Sequence, residues 1–464
     1  MGIGASTFNI MVEACRSMAQ FKQIHAYSIA SGLIFKRKVI AKLFRFAAVS
    51  PFGDVLYAHR MFDQMPDRQV FFCNTLIRGY AQSSSPSYSV FLFNEMRRSC
   101  IEPDEFSFNF VIKARSKLKA SEFLQMYVAM ECDEIHSLVF KLGFHSHLLI
   151  QNSLIHLYAT RGCPTASRKV FSETVGVNTI SWSGLVLAHV KAGQLDIARR
   201  VFNAIPEKDI VSWTAMISGY AQGKYPAEAL ELFVELTDSG LKPDEVTLIS
   251  VLSACKTSGN LEFGMRVHRY IEENGLGWMV SLSNTLIDFY GKCGCLDEAW
   301  AVFTRMRRRS LITWNVMISA FAEQGDINGG LWLFTCMLDS GLLPDSFTVL
   351  GLLRAHARRG LPDEGFELFD RMQREYNVEA TVEHYGCLVG MLCEAGRFED
   401  AYKFAMEIPI ASKESIWRCL LHASRKAGNV EVEEWVLKCL LEGKPGDETY
   451  RALLHDIYCS KVCD

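Results

Sequence analysis

Three tryptophans set the frame within which this chain can fold. Trp182, Trp213 and Trp314 stand in matching phrases, Ile180-Ser181-Trp182-Ser183, Val211-Ser212-Trp213-Thr214 and Ile312-Thr313-Trp314-Asn315, separated by 31 and 101 residues. A gap of 101 holds two units of 35 and one of 31. The Pro-Asp pairs ending at Asp244 and Asp345 repeat the 101-residue spacing, and another ends at Asp104. Asn152 and Asn284, each followed by Ser/Thr-Leu-Ile, lie 132 residues apart, as do His136 and His268, which is two units of each length. Independent markers sharing one arithmetic mean an internal repeat.

Each unit also pairs a small residue with a phenylalanine four positions later, as in Ala58/Phe62, Ser89/Phe93, Ser167/Phe171, Ala198/Phe202, Ala229/Phe233, Ala299/Phe303, Gly330/Phe334 and Gly365/Phe369. Residues four apart share a helix face, so this is packing rather than chemistry. Within one unit, 213–222 reads as a helix, Gly223 breaks it, and 228–239 reads as a second helix stopped by Gly240-Leu241-Lys242-Pro243-Asp244. A hairpin of this size buries its apolar face only against neighbours. The expected class is all-α, a superhelical solenoid of helix-turn-helix repeats.

Tiling gives a partial unit to Lys36, then 37–69, 70–104, 105–147, 148–178, 179–209, 210–244, 245–279, 280–310, 311–345, 346–381 and 382–413, about twelve units over 1–413. The 105–147 unit is eight residues too long, its surplus near Leu124–Glu131 expected to lengthen a helix or bulge at the turn. From Glu414 to Asp464 the pattern loosens but stays helical.

A chain of 464 residues exceeds what one ordinary core supports, which a quasi-linear array accommodates. Its formal charge of −3 gives no support to gripping duplex DNA through phosphates alone. The 15 cysteines are odd in number and scattered through apolar stretches (Cys255, Cys336, Cys387, Cys419), so they read as reduced core thiols. No apolar run reaches a membrane-spanning length; Leu148–Tyr158 is interrupted by Gln151, Asn152 and His156. Met1-Gly2-Ile3-Gly4-Ala5-Ser6 fits a myristoylation pattern short enough to arise by chance. The first residues lack a secretory signal, and the repeat pattern beginning near Phe8 leaves little room for a transit peptide.

Alternating 35- and 31-residue hairpins closing in Lys-Pro-Asp and opening as Ile312-Thr313-Trp314-Asn315-Val316-Met317-Ile318 resemble the plant pentatricopeptide repeat family, in the subgroup that alternates standard (P), long (L) and short (S) repeats. Units with Ile24-His25, Ile135-His136 and Val267-His268 resemble long repeats. Gly291-Lys292-Cys293-Gly294 with Leu296-Asp297-Glu298-Ala299, and Glu383-His384-Tyr385 with Glu394-Ala395-Gly396-Arg397, resemble short ones. Ile416-Trp417-Arg418-Cys419-Leu420-Leu421 with Gly428-Asn429-Val430-Glu431 resembles the family's E-type, tetratricopeptide-like extension, here 414–464 and shorter than usual. The resemblance implies a right-handed superhelix that binds single-stranded organellar RNA in a mitochondrion or chloroplast. With such an extension it further implies selection of cytidines for conversion to uridine.

Repeat proteins of this kind read about one base per repeat with two or three side chains. The polar pairs placed for that role are Asn74/Asp104, Asn152/Asn178, Ser183/Asp209, Thr214/Asp244, Asn284/Ser310 and Asn315/Asp345. By the family's code they favour, in chain order and with the intervening long repeats left open, U, any, pyrimidine, G, G, any, C, U. Ile249 and Met279 cannot discriminate a base, and Asn109/His147 is ambiguous. Three residues before each reader sits an apolar side chain suited to sandwiching a base: Phe71, Phe106, Leu149, Ile180, Val211, Val246 and Ile312, with Ser281 the exception. The competing expectation is a hydrophobic staple at the helix start, with the intervening Ser/Thr as N-cap.

Catalytic chemistry is not expected. No His has Glu two residues on, and no two Cys are three apart, so the deaminase signature is missing from this sequence. Gly329-Gly330 reads as mid-helix rather than as a phosphate loop, and zinc through His455, Cys459 and Cys463 lacks a fourth ligand. No cofactor, metal, membrane or small-molecule substrate is expected. If the protein serves editing, a separate DYW-type cytidine deaminase and accessory editing proteins must act in trans. The rival readings are a stabilising, processing or splicing factor for organellar RNA, and a tetratricopeptide-like protein scaffold, whose units would be uniformly near 34 residues.

Overall fold

The computed structural model describes residues 5–65, 68–118, 125–277, 279–409, 413–444 and 447–463. The stretch Met1–Gly4, Leu124 of the surplus, and the side chains of Cys459 and Cys463 lie outside the described residues. All regular structure among the described residues is helical. The chain divides into two compact units, Met1–Gly223 with Leu232–Pro243, and Lys224–Glu231 with Asp244–Asp464.

In the first unit the leading helices of successive hairpins are Arg37–Val49, Val70–Gln82, Glu105–Lys117, Leu148–Thr160, Thr179–Lys191 and Ile210–Gln222. Each packs on the next, forming one layer. The trailing helices Val55–Asp63, Ser87–Arg98, Pro164–Glu173 and Leu195–Asn203 each pack on their own leading helix and on the one that follows. The second unit repeats the scheme. Its leading helices are Glu245–Ser258, Val280–Lys292, Leu311–Glu323, Ser346–Arg359, Val382–Glu394 and Glu414–Ala427, followed by a final pair, Val430–Gly443 and Glu448–Cys463.

Both recurring sequence markers are explained by one contact. The phenylalanine of a trailing helix meets the tryptophan opening the next leading helix edge-on: Phe171–Trp182 at 4.7 Å, Phe202–Trp213 at 4.8 Å and Phe303–Trp314 at 5.1 Å between ring centroids. The small partner of each phenylalanine is buried, with Ala198 and Ala299 fully so. Leading helices approach so closely that a Cβ built on Gly291 would lie 2.5 Å from the Ala320 Cβ of the next hairpin. A left-handed Gly240 (φ +80°) ends the trailing helix of its unit ahead of Pro243, as the Gly-then-Pro pattern requires.

The repeated spacing of the histidines also has a structural cause. His136 Nδ1 lies 2.9 Å from the Tyr158 hydroxyl, and His268 Nδ1 lies 2.8 Å from that of Tyr290, each tying a trailing helix to the next leading helix. His59–Tyr80 (2.6 Å) is a further instance, and His25–Tyr57 (2.9 Å) joins the helix Met18–Ala30 to the trailing helix Val55–Asp63. Burial lowers the pKa of His25, His136 and His268 below 6.5.

Several expectations need correction. Gly329-Gly330 sits in the first turn of Ile327–Asp339, not mid-helix, because Asp326 caps there and accepts from the Gly329 N–H. Cys255 is buried, but Cys336 and Cys387 are only half-buried and Cys419 is exposed, since it lies off the stripe formed by Ile416 and Leu420. One expectation stands: of the two outcomes named for the surplus in the 105–147 unit, the lengthened helix is found, Gln125–Lys141 having 17 residues against 13 in Leu261–Glu273.

Removing the ring from Phe202, 1% exposed, should cost about 3–5 kcal/mol in urea unfolding. A loss below about 1 kcal/mol would show that the Phe–Trp contact is not a structural joint. The lowered histidine pKa values mean that the folded state holds these rings neutral. Their stabilisation is complete above the unfolded value and declines as pH falls below about 6.5. The thermal midpoint should drop on acidification through that range, less so in His136→Gln/His268→Gln; a variant as pH-sensitive as the parent would exclude the clasps as the cause.

Candidate nucleic-acid interface

Every leading helix must satisfy the free N–H groups of its first turn. The residue closing the preceding unit does this. Asp104, Asn178, Asp209, Asp244, Ser310 and Asp345 are the N-caps, accepting from the backbone N–H three residues on. The Ser or Thr between wedge and reader is therefore not the cap, as the staple reading had it, but the N3 residue: Ser107, Ser181, Ser212, Thr247, Thr313 and Thr348. In several units it bonds back to the cap and completes a capping box.

The cap then reaches the reader of the preceding hairpin. Asn315 Nδ2 donates to Asp345 Oδ1 at 2.9 Å, while Thr348 Oγ1 donates to Asn315 Oδ1 at 2.6 Å. Asn74 repeats this with Asp104 (2.8 Å) and Ser107 (2.6 Å), and Asn152 with Asn178 (3.3 Å) and Ser181 (2.6 Å). With one Nδ2 hydrogen given and one Oδ1 lone pair filled, the amide cannot flip. One N–H and one lone pair remain on the asparagine. Asp345 Oδ1 accepts both the Asn315 amide and the Thr348 N–H at 2.9 Å, and with no partner among the described residues Oδ2 is left as an acceptor. Ser183 Oγ lies 2.9 Å from Asp209 Oδ1 and 2.7 Å from the Thr179 carbonyl, so its one hydrogen is shared between this pair and its own helix.

Other pairs depart from the pattern. Thr214 and Asp244 belong to different compact units; Asp244 caps its own helix through Thr247. Asn284 and Ser310 share no bond, and Asn284 Oδ1 is buried without a partner among the described residues. Asn109 accepts from Ser153 Oγ at 2.7 Å instead of meeting His147, which faces Glu105 at 3.0 Å. Leu248, the neighbour of Ile249, is core, whereas Met279 caps without a side-chain bond.

The wedge residues are not stapled into the core. Phe71, Phe106, Leu149, Ile180, Val211, Val246 and Ile312 are 38–63% exposed, although each stands in the first turn of its helix. Phe347, 69% exposed at the same position of the 346–359 helix, belongs with them and was missed because Leu350 follows where a polar reader was sought. Wedge and reader, three residues apart, share one helix face. Thus each complete unit presents an exposed apolar surface beside a hydrogen-bonding amide or hydroxyl whose orientation is set from behind.

The matched models of the pentatricopeptide repeat cover residues 71–101, 180–210, 282–311, 312–342 and 347–376, with a further model of that repeat family over 208–257. A pentatricopeptide repeat-containing protein of Arabidopsis thaliana is 35% identical over 96% of this chain and 86% of its own length. Another from the same plant, named as chloroplastic/mitochondrial, is 33% identical over 95% of this chain and 64% of its own length. The crystal structure of the pentatricopeptide repeat protein PPR10 in complex with an 18-nt psaJ RNA element superposes with a TM-score of 0.52 at 18% identity, covering 87% of this chain and 68% of that one. These hairpins are of the same kind, and the chain belongs to the pentatricopeptide repeat family.

Proposed function

We propose that this protein binds single-stranded RNA in a sequence-dependent way, one base per complete unit, and performs no chemistry itself. The observation that carries the reading is the pairing of an exposed wedge with a reader whose amide is pinned from behind, repeated at Asn74, Asn152 and Asn315. A capping role alone explains the Asp and Ser residues but leaves the exposed wedges without a purpose. Stacking on such surfaces contributes about 1–3 kcal/mol per base.

The free acceptor of the closing aspartate accounts for the preferences carried over from the family. A carboxylate oxygen facing a base needs a ring N–H opposite. Uracil and guanine have one on the Watson–Crick edge, whereas cytosine and adenine offer a lone pair there. By the family's code, Asn74/Asp104 and Asn315/Asp345 then favour U and Ser183/Asp209 favours G. Asn152/Asn178 accepts a pyrimidine and Asn284/Ser310 favours C. The relatives' names, and the PPR10–RNA complex, agree with an organellar RNA as the partner.

Within that reading the protein selects a cytidine for editing in a mitochondrial or chloroplast transcript, and helices 414–427, 430–443 and 448–463 dock a DYW-type deaminase supplied in trans. The alternation of 31- and 35-residue units favours this over transcript stabilisation or splicing. Transcript sequencing in a line lacking the protein separates them: an unconverted cytidine supports editing, and altered ends or retained introns overturn it.

Asn315→Ser should change the preferred base at one position by about 1–2 kcal/mol, close to tenfold, and leave the other positions unchanged. A uniform loss over all RNAs would remove the assignment. Thr348→Val removes one of the two bonds that orient the Asn315 amide, so discrimination at that base should shrink several-fold while overall affinity is retained; unchanged discrimination would show that this bond is irrelevant to readout.

A further inference from the structure

The second unit contains a cavity of about 1230 Å³ whose wall includes Asn284, Ser310, Ile312, Arg307 and Arg308. It lies at the reading pair that is not closed by a hydrogen bond, and Asn284 contributes a buried Oδ1 with no partner among the described residues. Four of the five residues 305–309 are arginine, in a chain with a formal charge of −3. Two of the four have structural employment. Arg305 pairs with Glu272 at 2.6 Å, and Arg309 covers the Phe303 ring at 4.6 Å while donating to the carbonyls of Phe303 and Thr304.

Equivalent junctions show which arginines are additional. Lys208 lies over Phe202 at 5.3 Å and Arg68 over Phe62 at 4.9 Å, so a cation immediately before the closing residue is part of the repeat. The two positions before it carry Pro206 and Glu207 in the 179–209 unit, and Val175 and Gly176 in the 148–178 unit. At 307 and 308 they are arginines, both exposed and without an ion-pair partner among the described residues. The acids on the same wall are engaged: Glu272 with Arg305, and Glu245 as acceptor from the Ser281 hydroxyl.

We propose that Arg307 and Arg308 form a phosphate clamp, holding the RNA backbone where the base enters between Asn284 and Ser310. The clamp rests on the RNA-binding reading above and adds to it a contact that carries no sequence information. A guanidinium fork suits phosphate oxygens, and the cavity leaves room for the nucleotide's sugar and phosphate beside the amide.

The test uses the full chain and a labelled RNA of the expected base string, with single-base variants of that RNA, titrated at several salt concentrations. Each phosphate contact with a single strand contributes about 0.7 to the slope of log affinity against log salt. R307Q/R308Q should therefore lower the slope by about 1.4 and weaken every RNA by one common factor, on the order of tenfold at low salt. R307K/R308K should keep most of the slope. An unchanged slope in R307Q/R308Q, a loss confined to one base identity, or an equal loss in the lysine variant overturns the clamp. If the parent protein still discriminates among the RNA variants, base reading survives that result; if the parent discriminates none, both fall. The arginines are exposed, and an unaltered melting curve establishes that each variant is folded.

Discussion

The start of each leading helix is the point on which the rest depends. A helix leaves about four N–H groups unsatisfied at its beginning, and here those beginnings are crowded by the preceding hairpin. A side-chain acceptor at the cap meets this need in many units, although the helices behind His147 and Met279 begin without one. Asp104, Asp209 and Asp345 supply it, and because the cap sits beside the preceding leading helix, the same oxygen receives the reader's hydrogen bond. Capping, register between hairpins and orientation of the reader form one network. The amide cannot be displaced without loosening a helix start, nor can neighbouring hairpins slip without breaking the amide's bonds.

Much of this was legible in the sequence because repetition multiplies weak signals. One tryptophan says little, but three at matched spacings located the leading helices, and Phe202 and Trp213 proved to be the two sides of one contact. The closing residues were found as members of pairs. Their identity as N-caps was assigned one step off, since Ser181 and Thr348 are equally good capping types and only backbone geometry separates N-cap from N3. The unpaired state of Asn284 was not legible, because it depends on side-chain reach rather than residue type. Cys419 shows the same limit: its helix is apolar on one stripe, and a cysteine just off that stripe is exposed.

The histidines show how a marker can be visible without its meaning. The spacing of His136 and His268 marked the repeat, yet nothing in that spacing named Tyr158 and Tyr290 as partners 22 residues downstream. Their contact joins a trailing helix to the following leading helix, a joint that the Phe–Trp contact supplies in the shorter units. The two contacts thus join successive hairpins with different side chains.

On the RNA-binding reading proposed above, a net charge of −3 constrains how such a surface would hold its strand and select its bases. Long-range attraction toward a polyanion is weak when positive side chains are already paired with acids, as Lys256 is with Asp288 and Arg358 with Glu323. Affinity must then come from short-range terms: stacking on exposed side chains such as Ile180 and Ile312, hydrogen bonds to base edges, and a few local phosphate contacts. Stacking accepts any base, whereas the pinned amides are selective. A surface that draws little on bulk electrostatics gives nonspecific RNA a small share of the available energy, so modest discrimination at each unit accumulates along the strand instead of being submerged beneath charge attraction.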